Sequence, residues 1–364
     1  ILVSTNYFFV SSPLHLLFSS NIALRRDGDD NIVVLMPREG RPFSPFAEVL
    51  EQDPSIFAEV ISFETGNRPR KHAERKRRMA VIKDALAQSP ADRIYTGTDR
   101  RVEFQYAMHV ASGVNPDVIG IYVDDGMGSY LGHKSIDSVA HRYLDPLAKK
   151  LLYGRWWDNP LMIGASSWIS EIHVAYPDLV HELLKPKKSV AIDKAVFRDP
   201  RFLSLCERLL RFRNVDDQSV RDVDVVIVLT HESFYPDPDA HLESLVQAVS
   251  RQDPAAKIAV KPHPRSERAE SWRDQYPDLL FLDSKVSMEL YLPLVRERCV
   301  IIGDISSALF TANWFSEGTR IVAVDLPHAV PTHIEDNLAR LFQELGIPKI
   351  GINELPAQLA KLRP

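Results

Sequence analysis

Short apolar runs alternate with longer amphipathic stretches along the whole chain, and this alternation limits the folds open to it. The runs are about four to seven residues long and rich in valine, isoleucine and aromatic residues. Such runs between helical patterns are typical of βαβ units, whose strands pair in parallel. The sequence therefore predicts an α/β protein. The predicted strands are residues 7–10, 32–35, 59–63, 93–95, 118–123, 171–175, 223–229, 257–261, 279–282, 299–302 and 320–324. The predicted helices are residues 13–23, 73–87, 102–112, 138–153, 239–251, 288–295, 307–316 and 334–345.

Length and one charged segment predict two domains. A chain of 364 residues exceeds what one hydrophobic core usually spans. Residues 184–200 contain Lys185-Pro186-Lys187-Lys188 and Asp199-Pro200, a charged and proline-punctuated stretch that suits an interdomain connection. We therefore predict one Rossmann-like domain at residues 1–188 and another at 189–364, facing each other across a cleft. Ligands of such sheets bind at the carboxyl ends of the strands.

Composition excludes several classes of protein. The formal net charge of −5 argues against a general nucleic-acid binder, which needs clustered positive charge. Cys206 and Cys299 lie far apart without metal-ligand spacing, so we expect a reducing compartment and no structural zinc. No apolar run approaches the roughly 20 residues of a membrane span. The first residues lack the features of a signal peptide, so we expect a cytoplasmic protein, either soluble or peripheral at the inner membrane.

An acidic motif, Asp124-Asp125-Gly126, follows the apolar run 118–123. At the tip of a strand, Asp124 can accept a proton from an attacking hydroxyl, and Gly126 permits the tight turn that aims it. For that work the pKa of Asp124 should be raised by partial burial or by its like-charged neighbour Asp125. Alternatively, the motif is a plain surface turn, since Asp-Gly pairs are common there. A metal-binding pair is a third interpretation, but the sequence offers no other acid cluster to complete a metal site.

A histidine between two prolines, Lys261-Pro262-His263-Pro264, follows the apolar residues 258–260. The prolines hold the backbone extended and fix the direction of the imidazole. A histidine has an ordinary pKa of about 6.5, so an adjacent phosphate can hold His263 protonated and receive its hydrogen bond. Lys261 and Arg265 strengthen the local positive field. A satisfied structural histidine is the alternative interpretation.

Three further features could bind a nucleotide. Ser306-Ser307 opens the predicted helix 307–316, where Ser307 is placed as an N-cap and the free amides can bind phosphate. Simple capping without a ligand is the alternative, and capping is compatible with phosphate binding. Glu289 lies near the start of helix 288–295 and can either bind the hydroxyls of a ribose or stabilise its own helix. Thr230 and His231, after strand 223–229, are additional candidates.

A basic stretch runs from residue 68 to residue 78 with one acid, Glu74, among its charges. It predicts either a solvated surface or a patch that attracts an anionic acceptor or an acidic membrane. Its basic residues are Arg68, Arg70, Lys71, Arg75, Lys76, Arg77 and Arg78.

The acidic-acidic-glycine, His-Pro and Ser-Ser motifs, in this order, resemble those of the bacterial sialyltransferases. That superfamily includes the polysialyltransferases of capsule synthesis and the lipooligosaccharide sialyltransferases. Ser11-Ser12-Pro13-Leu14 is similar to the family's opening loop, and Lys261-Pro262 is closest to the capsule and lipooligosaccharide branches. The resemblance covers motifs in both halves and the strand-helix layout, without extending to overall identity.

This resemblance implies a GT-B glycosyltransferase that moves sialic acid from CMP-N-acetylneuraminic acid to a glycan with inversion, and that needs no metal or other cofactor. It also implies a role for each matching residue. Asp124 would be the general base, and His263 would contact the donor phosphate and assist the departure of CMP. Ser306 and Ser307 would bind that phosphate, and Glu289 would contact the ribose. Lys261, Pro264 and Thr230 complete the expected donor site.

Two other functions remain open at this point. Transferases of another CMP-activated nonulosonic acid, or of CMP-Kdo, share the fold and similar His-Pro loops. A non-catalytic nucleotide-binding partner of capsule assembly is a different class, although the presence of both Asp124 and His263 argues against it. The acceptor is expected to be a capsular polysaccharide or a lipooligosaccharide, anionic or lipid-linked if the basic stretch binds it.

Overall fold

The computed structural model describes residues 3–36, 44–63, 71–132, 150–304, 306–315, 320–329 and 331–362. The chain divides into two compact units, Ile1–Val196 and Phe197–Pro364. Each unit is built around one parallel sheet, as the sequence predicts. The predicted boundary after residue 188 falls inside a strand, Lys188–Ala191, that pairs with its neighbour Glu171–Val174. The first unit therefore extends to Val196.

The first unit contains seven parallel strands in the order β3-β2-β1-β4-β5-β6-β7. Its strands are β1 Thr5–Val10, β2 Asp30–Leu35, β3 Glu59–Ser62, β4 Arg93–Thr96, β5 Ile119–Val123, β6 Glu171–Val174 and β7 Lys188–Ala191. Its helices are α1 Pro13–Leu24, α2 Ser44–Glu51, α3 Lys71–Gln88, α4 Val102–Val114 and α5 Gly128–Leu131. The strand order reverses between β1 and β4, which is the Rossmann switch point where ligands bind at the carboxyl ends of the strands.

The second unit repeats this arrangement with six parallel strands in the order β10-β9-β8-β11-β12-β13. Its strands are β8 Val225–Val228, β9 Ile258–Lys261, β10 Leu280–Phe281, β11 Val300–Gly303, β12 Arg320–Asp325 and β13 Lys349–Gly351. Its helices are α6 Pro200–Phe212, α7 Asp217–Arg221, α8 Pro238–Gln252, α9 Ala269–Gln275, α10 Met288–Tyr291, α11 Ser307–Phe315, α12 Thr332–Glu344 and α13 Leu355–Leu362. Here the switch point lies between β8 and β11.

Apolar strands produce the core of each unit. β8 and β11 are buried along their whole length, because helices cover both faces of a parallel sheet. In the second unit, Leu242 of α8 and Leu359 of α13 belong to one core cluster with Ile227 of β8. In the first unit, the rings of Phe8 and Tyr95 stack across β1 and β4 with centroids 4.4 Å apart. Each sheet therefore presents rigid strand ends on which loops can place polar side chains.

Helix starts follow local capping chemistry. Ser12 precedes α1, accepts a hydrogen bond from the His15 amide at 3.2 Å and is followed by Pro13 at the first helical position. Asp199 caps α6 in the same way by accepting from the Arg201 amide at 2.8 Å, ahead of Pro200. Residues 184–200, which the sequence assigns to a connection, thus contain β7 and the start of α6.

One predicted helix and two short strands differ from the sequence prediction. The predicted helix 138–153 falls largely outside the described residues, and only residues 150–153 are described, as a helical turn. The sequence does not predict β7 and β13, because both are short strands without a fully buried residue. Across the described ranges, no helix is sufficiently long and apolar to cross a lipid bilayer.

Candidate active site

Asp124 directly follows β5 and is completely buried, with 0% of its surface exposed. Four donors surround its carboxylate. Oδ1 accepts from the Gly126 amide at 2.9 Å and from the Ser129 hydroxyl at 2.7 Å. Oδ2 accepts from the Ala175 amide at 3.0 Å and from the Tyr130 hydroxyl. The carboxylate is therefore held rigidly by the turn that follows β5 and by the end of β6.

Burial makes Asp124 a weaker acid than an ordinary aspartate. Removal from water raises the pKa of its carboxyl to about 6, although the four hydrogen bonds act in the opposite direction. A carboxyl that titrates there is better matched to proton transfer near neutral pH than an ordinary aspartate. Of the two causes that the sequence suggests, burial or the charge of Asp125, burial is the one that raises this pKa most.

Gly126 allows the turn that carries Asp124. Its φ of +79° lies in the left-handed region that favours glycine. A Cβ atom at this position would also lie 3.3 Å from Leu14 Cδ2 of α1. The acid motif and the first turn of α1 are thus close neighbours.

Asp125 points to a different partner, the buried His15 of α1. The distance from His15 Nε2 to Asp125 Oδ1 is 2.5 Å, and His15 Nδ1 lies 3.2 Å from the Ser11 hydroxyl. His15 is not exposed, whereas 19% of the Asp125 side chain is. The sequence reasoning missed His15. The available signal was its place in the first turn of α1, directly after the loop Ser11-Ser12-Pro13 that resembles the family's opening loop.

In the second unit, polar side chains gather at the switch point between β8 and β11. Thr230 and His231 follow β8, and Asp304 follows β11. The Thr230 hydroxyl donates to Asp304 Oδ1 at 2.7 Å, and the Thr230 amide donates to the Tyr235 hydroxyl at 2.9 Å. Thr230 is therefore tied to the ends of both central strands, where a Rossmann sheet binds nucleotides.

His263 follows the adjacent strand β9 and is half-buried. Its Nδ1 accepts from the Arg265 amide at 3.2 Å, which leaves Nε2 to carry the hydrogen of the neutral ring. Burial lowers the pKa of His263, and the charges of His231, Arg265 and Lys261 lower it further. Without a ligand the imidazole is therefore neutral near pH 7, and a bound phosphate would raise its pKa again.

Lys261 lies under the His-Pro loop. It is buried, and its Nζ donates to the carbonyl oxygens of Pro262 at 3.0 Å and Ser284 at 3.1 Å. Burial lowers the pKa of Lys261 to about 8, against the opposing charge of Glu289. In this structure Lys261 fixes the loop that carries His263. Pro264, by contrast, is exposed.

Glu289 and the Ser-Ser pair begin two helices. Glu289 lies in the first turn of α10 and accepts from the Ser287 hydroxyl. The helix α11 begins at Ser307, and the Ala308 amide donates to the Ser306 hydroxyl at 3.2 Å. The capping residue is therefore Ser306, and the predicted cap at Ser307 is wrong. Ser307 is exposed at the first helical position of α11.

The predicted basic patch is smaller than the sequence indicates. Arg78 is only 9% exposed, donates to Glu74 at 2.6 Å and to Glu103 at 3.3 Å, and so belongs to the interior. Arg75 donates to the hydroxyl of Tyr153. Arg68, Arg70 and the side chain of Lys71 lie outside the described residues. Among the basic residues of this stretch whose side chains are described, Lys76 and Arg77 are exposed. For Arg78 the prediction of a surface charge is wrong, because its side chain is buried. Its ion pairs with the two glutamates compensate the cost of that burial.

Two other features lie apart from the predicted donor residues. A cavity of about 720 Å³ is lined by α7, α9 and the end of β10, and no residue of the predicted donor site lines it. Within the described ranges, Asp325, His328 and Glu335 approach closely enough to hold a metal. The ammonium group of Lys349 lies 3.1 Å from Asp325 and 3.0 Å from Glu335, and so already supplies a cation there.

Comparison with solved structures identifies the fold. The α/β-galactoside α-2,3-sialyltransferase of Photobacterium phosphoreum aligns with 98% of this chain and 100% of its own, at 12% identity and a TM-score of 0.56. The GT-B domain of a Photobacterium damselae sialyltransferase covers 96% and 100%, at 14% identity and 0.55. A Photobacterium 2,6-sialyltransferase, solved with CMP and lactose, covers 97% and 79%, at 12% identity and 0.52. At these identities the likeness establishes the fold alone, which is the GT-B fold.

A match between the amino-acid sequence and a protein-family model identifies the family. The alpha-2,8-polysialyltransferase family model matches residues 6–325. The chain therefore belongs to the alpha-2,8-polysialyltransferase family, and it is a sialyltransferase of the bacterial superfamily that its three motifs resemble. The search of curated proteins finds no match to it. Membership of an enzyme family favours catalysis over the alternative of a silent nucleotide-binding partner.

Proposed function

We propose that this sialyltransferase takes sialic acid from CMP-sialic acid, inverts the anomeric centre and needs no metal ion. The observation that carries the proposal is the gathering of His263, Thr230 and the Ser306-Ser307 helix start at the strand ends around one Rossmann switch point. A nucleotide phosphate bound there would meet a neutral imidazole, hydroxyl groups and the positive N-terminal end of a helix. These are donors suited to a leaving phosphate.

His263 would assist the departure of CMP. Because its Nδ1 is engaged by the Arg265 amide, Nε2 is the atom that would donate to the phosphate. The phosphate charge would raise the pKa of His263, so that the ring holds a proton as negative charge develops on CMP. The Ser307 hydroxyl would bind the same phosphate, and the dipole at the start of α11 would favour its negative charge. Protein groups would thus supply the charge stabilisation that a metal ion supplies in other transferases.

Asp124 would remove the acceptor proton. Its pKa of about 6 leaves it largely ionised at neutral pH, yet basic enough to accept a proton in the transition state. Two of its four donors are the side-chain hydroxyls of Ser129 and Tyr130. An acceptor hydroxyl would replace one of these by rotation of a single side chain, without loss of the two backbone hydrogen bonds that position the carboxylate.

Glu289 would bind the ribose hydroxyls of CMP. It is half-buried and lies close enough to Lys261 for its charge to raise the pKa of that lysine. Lys261 in turn fixes the loop of His263 through Pro262 and Ser284. We therefore propose that Glu289 orients the nucleoside and that Lys261 positions the histidine from beneath.

For the acceptor, we propose a glycan that itself ends in sialic acid, as in capsular polysaccharide or lipooligosaccharide. The family to which the chain belongs is described by α-2,8-polysialyl transfer, which extends sialic acid with sialic acid. An acidic acceptor also suits the exposed Lys76 and Arg77, which would attract either an anionic chain or an acidic membrane surface. Because the donor would be a cytosolic CMP-sugar, we place the reaction in the cytoplasm.

Calorimetric titration with CMP, CDP, UDP and GDP in a chelating buffer tests the donor site. We expect selective binding of CMP, weakened roughly 10- to 100-fold by His263→Ala, the usual cost of a charge-assisted hydrogen bond. The matched control is His333→Ala, an exposed histidine of α12 in the same unit, which should bind CMP like the unmodified protein. Preference for a diphosphate nucleotide, or loss of binding on chelation, would contradict the proposal.

A further inference from the structure

His15 is a buried histidine for which the proposed reaction has no step. It lies in the first turn of α1, and none of its surface is exposed. Its two ring nitrogens meet the Ser11 hydroxyl at 3.2 Å and Asp125 Oδ1 at 2.5 Å. Ser11 is itself buried and directly follows β1. One chain of contacts thus runs from the end of β1, through the ring, to the second acid of the motif after β5.

The chemistry of the partners fixes where the hydrogen lies. An ionised carboxylate only accepts hydrogen bonds, so His15 Nε2 must carry the hydrogen that joins it to Asp125. Nδ1 then faces the Ser11 hydroxyl, which can either donate to it or accept from it. A buried group held at both ends in this way has one orientation, and it transmits that orientation to the carboxylate.

Gly97 makes room for this ring. It follows β4, the strand between β1 and β5 in the sheet. A Cβ atom at Gly97 would lie only 2.2 Å from His15 Nε2, so any larger residue would push the ring away from Asp125. The loops after β1, β4 and β5 are therefore fitted to one another around the contact between His15 and Asp125.

The two acids of the motif have opposite surroundings. Asp124 is fully buried among four donors, while the Asp125 side chain is 19% exposed at the same strand end. A ligand can therefore reach the Asp125 side chain while its Oδ1 atom is held by His15. Carboxylates held in this manner bind sugar hydroxyls well, because a charged acceptor strengthens the hydrogen bond.

We propose that Ser11, His15 and Asp125 form a positioning relay, in which His15 orients the Asp125 carboxylate to bind a hydroxyl of the acceptor sugar next to the one that Asp124 deprotonates. This inference rests on the proposed transfer function and deepens it. Asp125 is then the acceptor-binding carboxylate, and His15 acts only through it. No proton is transferred along the relay.

Steady-state kinetics with CMP-sialic acid and an oligosialic acceptor test the relay. His15→Ala and Gly97→Ala should each raise the acceptor KM by roughly tenfold or more, since each removes a hydrogen bond to a charged group. CMP affinity should stay within about twofold in both, because the nucleotide residues belong to the second unit. His15→Gln, whose amide can still donate to Asp125, should recover part of the lost acceptor affinity.

The matched control is Gly113→Ala. Gly113 is an exposed residue near the end of α4, and a Cβ atom there would meet nothing within 4 Å. It should leave both KM and CMP affinity unchanged. An unchanged acceptor KM in Gly97→Ala would overturn the relay. So would a His15→Gln variant no better than His15→Ala, since packing alone would then explain the loss.

An NMR measurement of the ring nitrogens of His15 keeps the test independent of activity and of variants that fail to fold. In the unmodified protein, the relay requires a hydrogen on Nε2 that is shielded from solvent exchange. A neutral ring with its hydrogen on Nδ1 would overturn the inference, because it could not donate to Asp125. If instead the protein transfers no sialic acid while Nε2 carries the hydrogen, the proposed function fails and the hydrogen bond of the relay stands.

Discussion

The imidazole rings of His231 and His263 meet edge to face, with centroids 5.2 Å apart and an angle of 79° between the ring planes. The two histidines follow β8 and β9, neighbouring strands at the switch point of the second sheet. After burial, His231 is the largest contributor to the lowered pKa of His263. The donor site therefore holds its central imidazole neutral until a phosphate arrives.

The pairing of His231 with His263 predicts that the protein takes up a proton when it binds CMP. A bound phosphate raises the pKa of His263 above its lowered value in the free protein, so binding takes up a proton and weakens as pH rises through that range. Calorimetry in buffers of different ionisation enthalpy measures the uptake directly. His231→Gln removes a like-charged neighbour, raises the starting pKa of His263 and should reduce the uptake. His263→Gln corrects for the phosphate's own titration, and equal uptake in that variant would contradict the assignment.

Asp124→Asn should abolish most of the transfer. A general base contributes roughly 10²- to 10⁴-fold, and an amide cannot accept the proton. In the unmodified enzyme, kcat should fall about tenfold per pH unit below the Asp124 pKa of about 6, since only the ionised carboxylate is active. Rate measurements from pH 5 to pH 8 check both statements, with CMP binding as the control for folding. A variant that transfers at a near-normal rate would exclude Asp124 as the base.

Substitution of Ser306 should mainly affect stability, and substitution of Ser307 should mainly affect CMP binding. Ser306 caps α11 through the Ala308 amide, so Ser306→Ala should cost about 1 kcal/mol of unfolding free energy. Ser307 is exposed, and Ser307→Ala should leave that free energy nearly unchanged while it weakens CMP binding. Urea unfolding and nucleotide titration on both variants distinguish the roles. If Ser307→Ala lowered the unfolding free energy and Ser306→Ala did not, Ser307 would be the N-cap after all, as the sequence predicts.

Arg78 and Arg77 are adjacent arginines with different predicted effects. Arg78→Ala would leave Glu103, itself 3% exposed, without its buried partner, and should cost about 3 to 5 kcal/mol of unfolding free energy. Arg77→Ala removes an exposed charge and should change that free energy little. It should instead weaken binding of an anionic acceptor, most clearly at low salt. Denaturant unfolding of both variants decides between an interior and a surface role for Arg78.

The sequence was sufficient to predict most of the fold, because buried parallel strands must be apolar along their length. β9 and β11 are such strands, and their ends place the His-Pro and Ser-Ser motifs where the pattern predicts them. β7 escaped prediction since only one of its four residues, Val190, is partly buried, which leaves no apolar run to detect. α6, in contrast, carried a visible start signal in Asp199-Pro200 that was interpreted as part of a connection.

The sequence was less informative about the candidate site, whose details depend on contacts between distant residues. Asp124 and His263 could be proposed from their motifs, but the burial that sets the pKa of each is a property of the packed sheet. His15 and Asp125 are separated by 110 residues and meet because β1, β4 and β5 are neighbours. No local pattern contains that pairing. The ion pairs that place Arg78 inside the protein are hidden in the same way.

Mass spectrometry of the acceptor product tests the central claim most directly. The purified protein would be incubated in a chelating buffer with an oligosialic acceptor and either CMP-N-acetylneuraminic acid or CMP-Kdo. We predict that the acceptor gains the mass of one or more sialic acid residues from the first donor only, and that Asp124→Asn and His263→Ala lose this gain. A product formed only from CMP-Kdo, or only when a divalent metal is restored, would contradict the account.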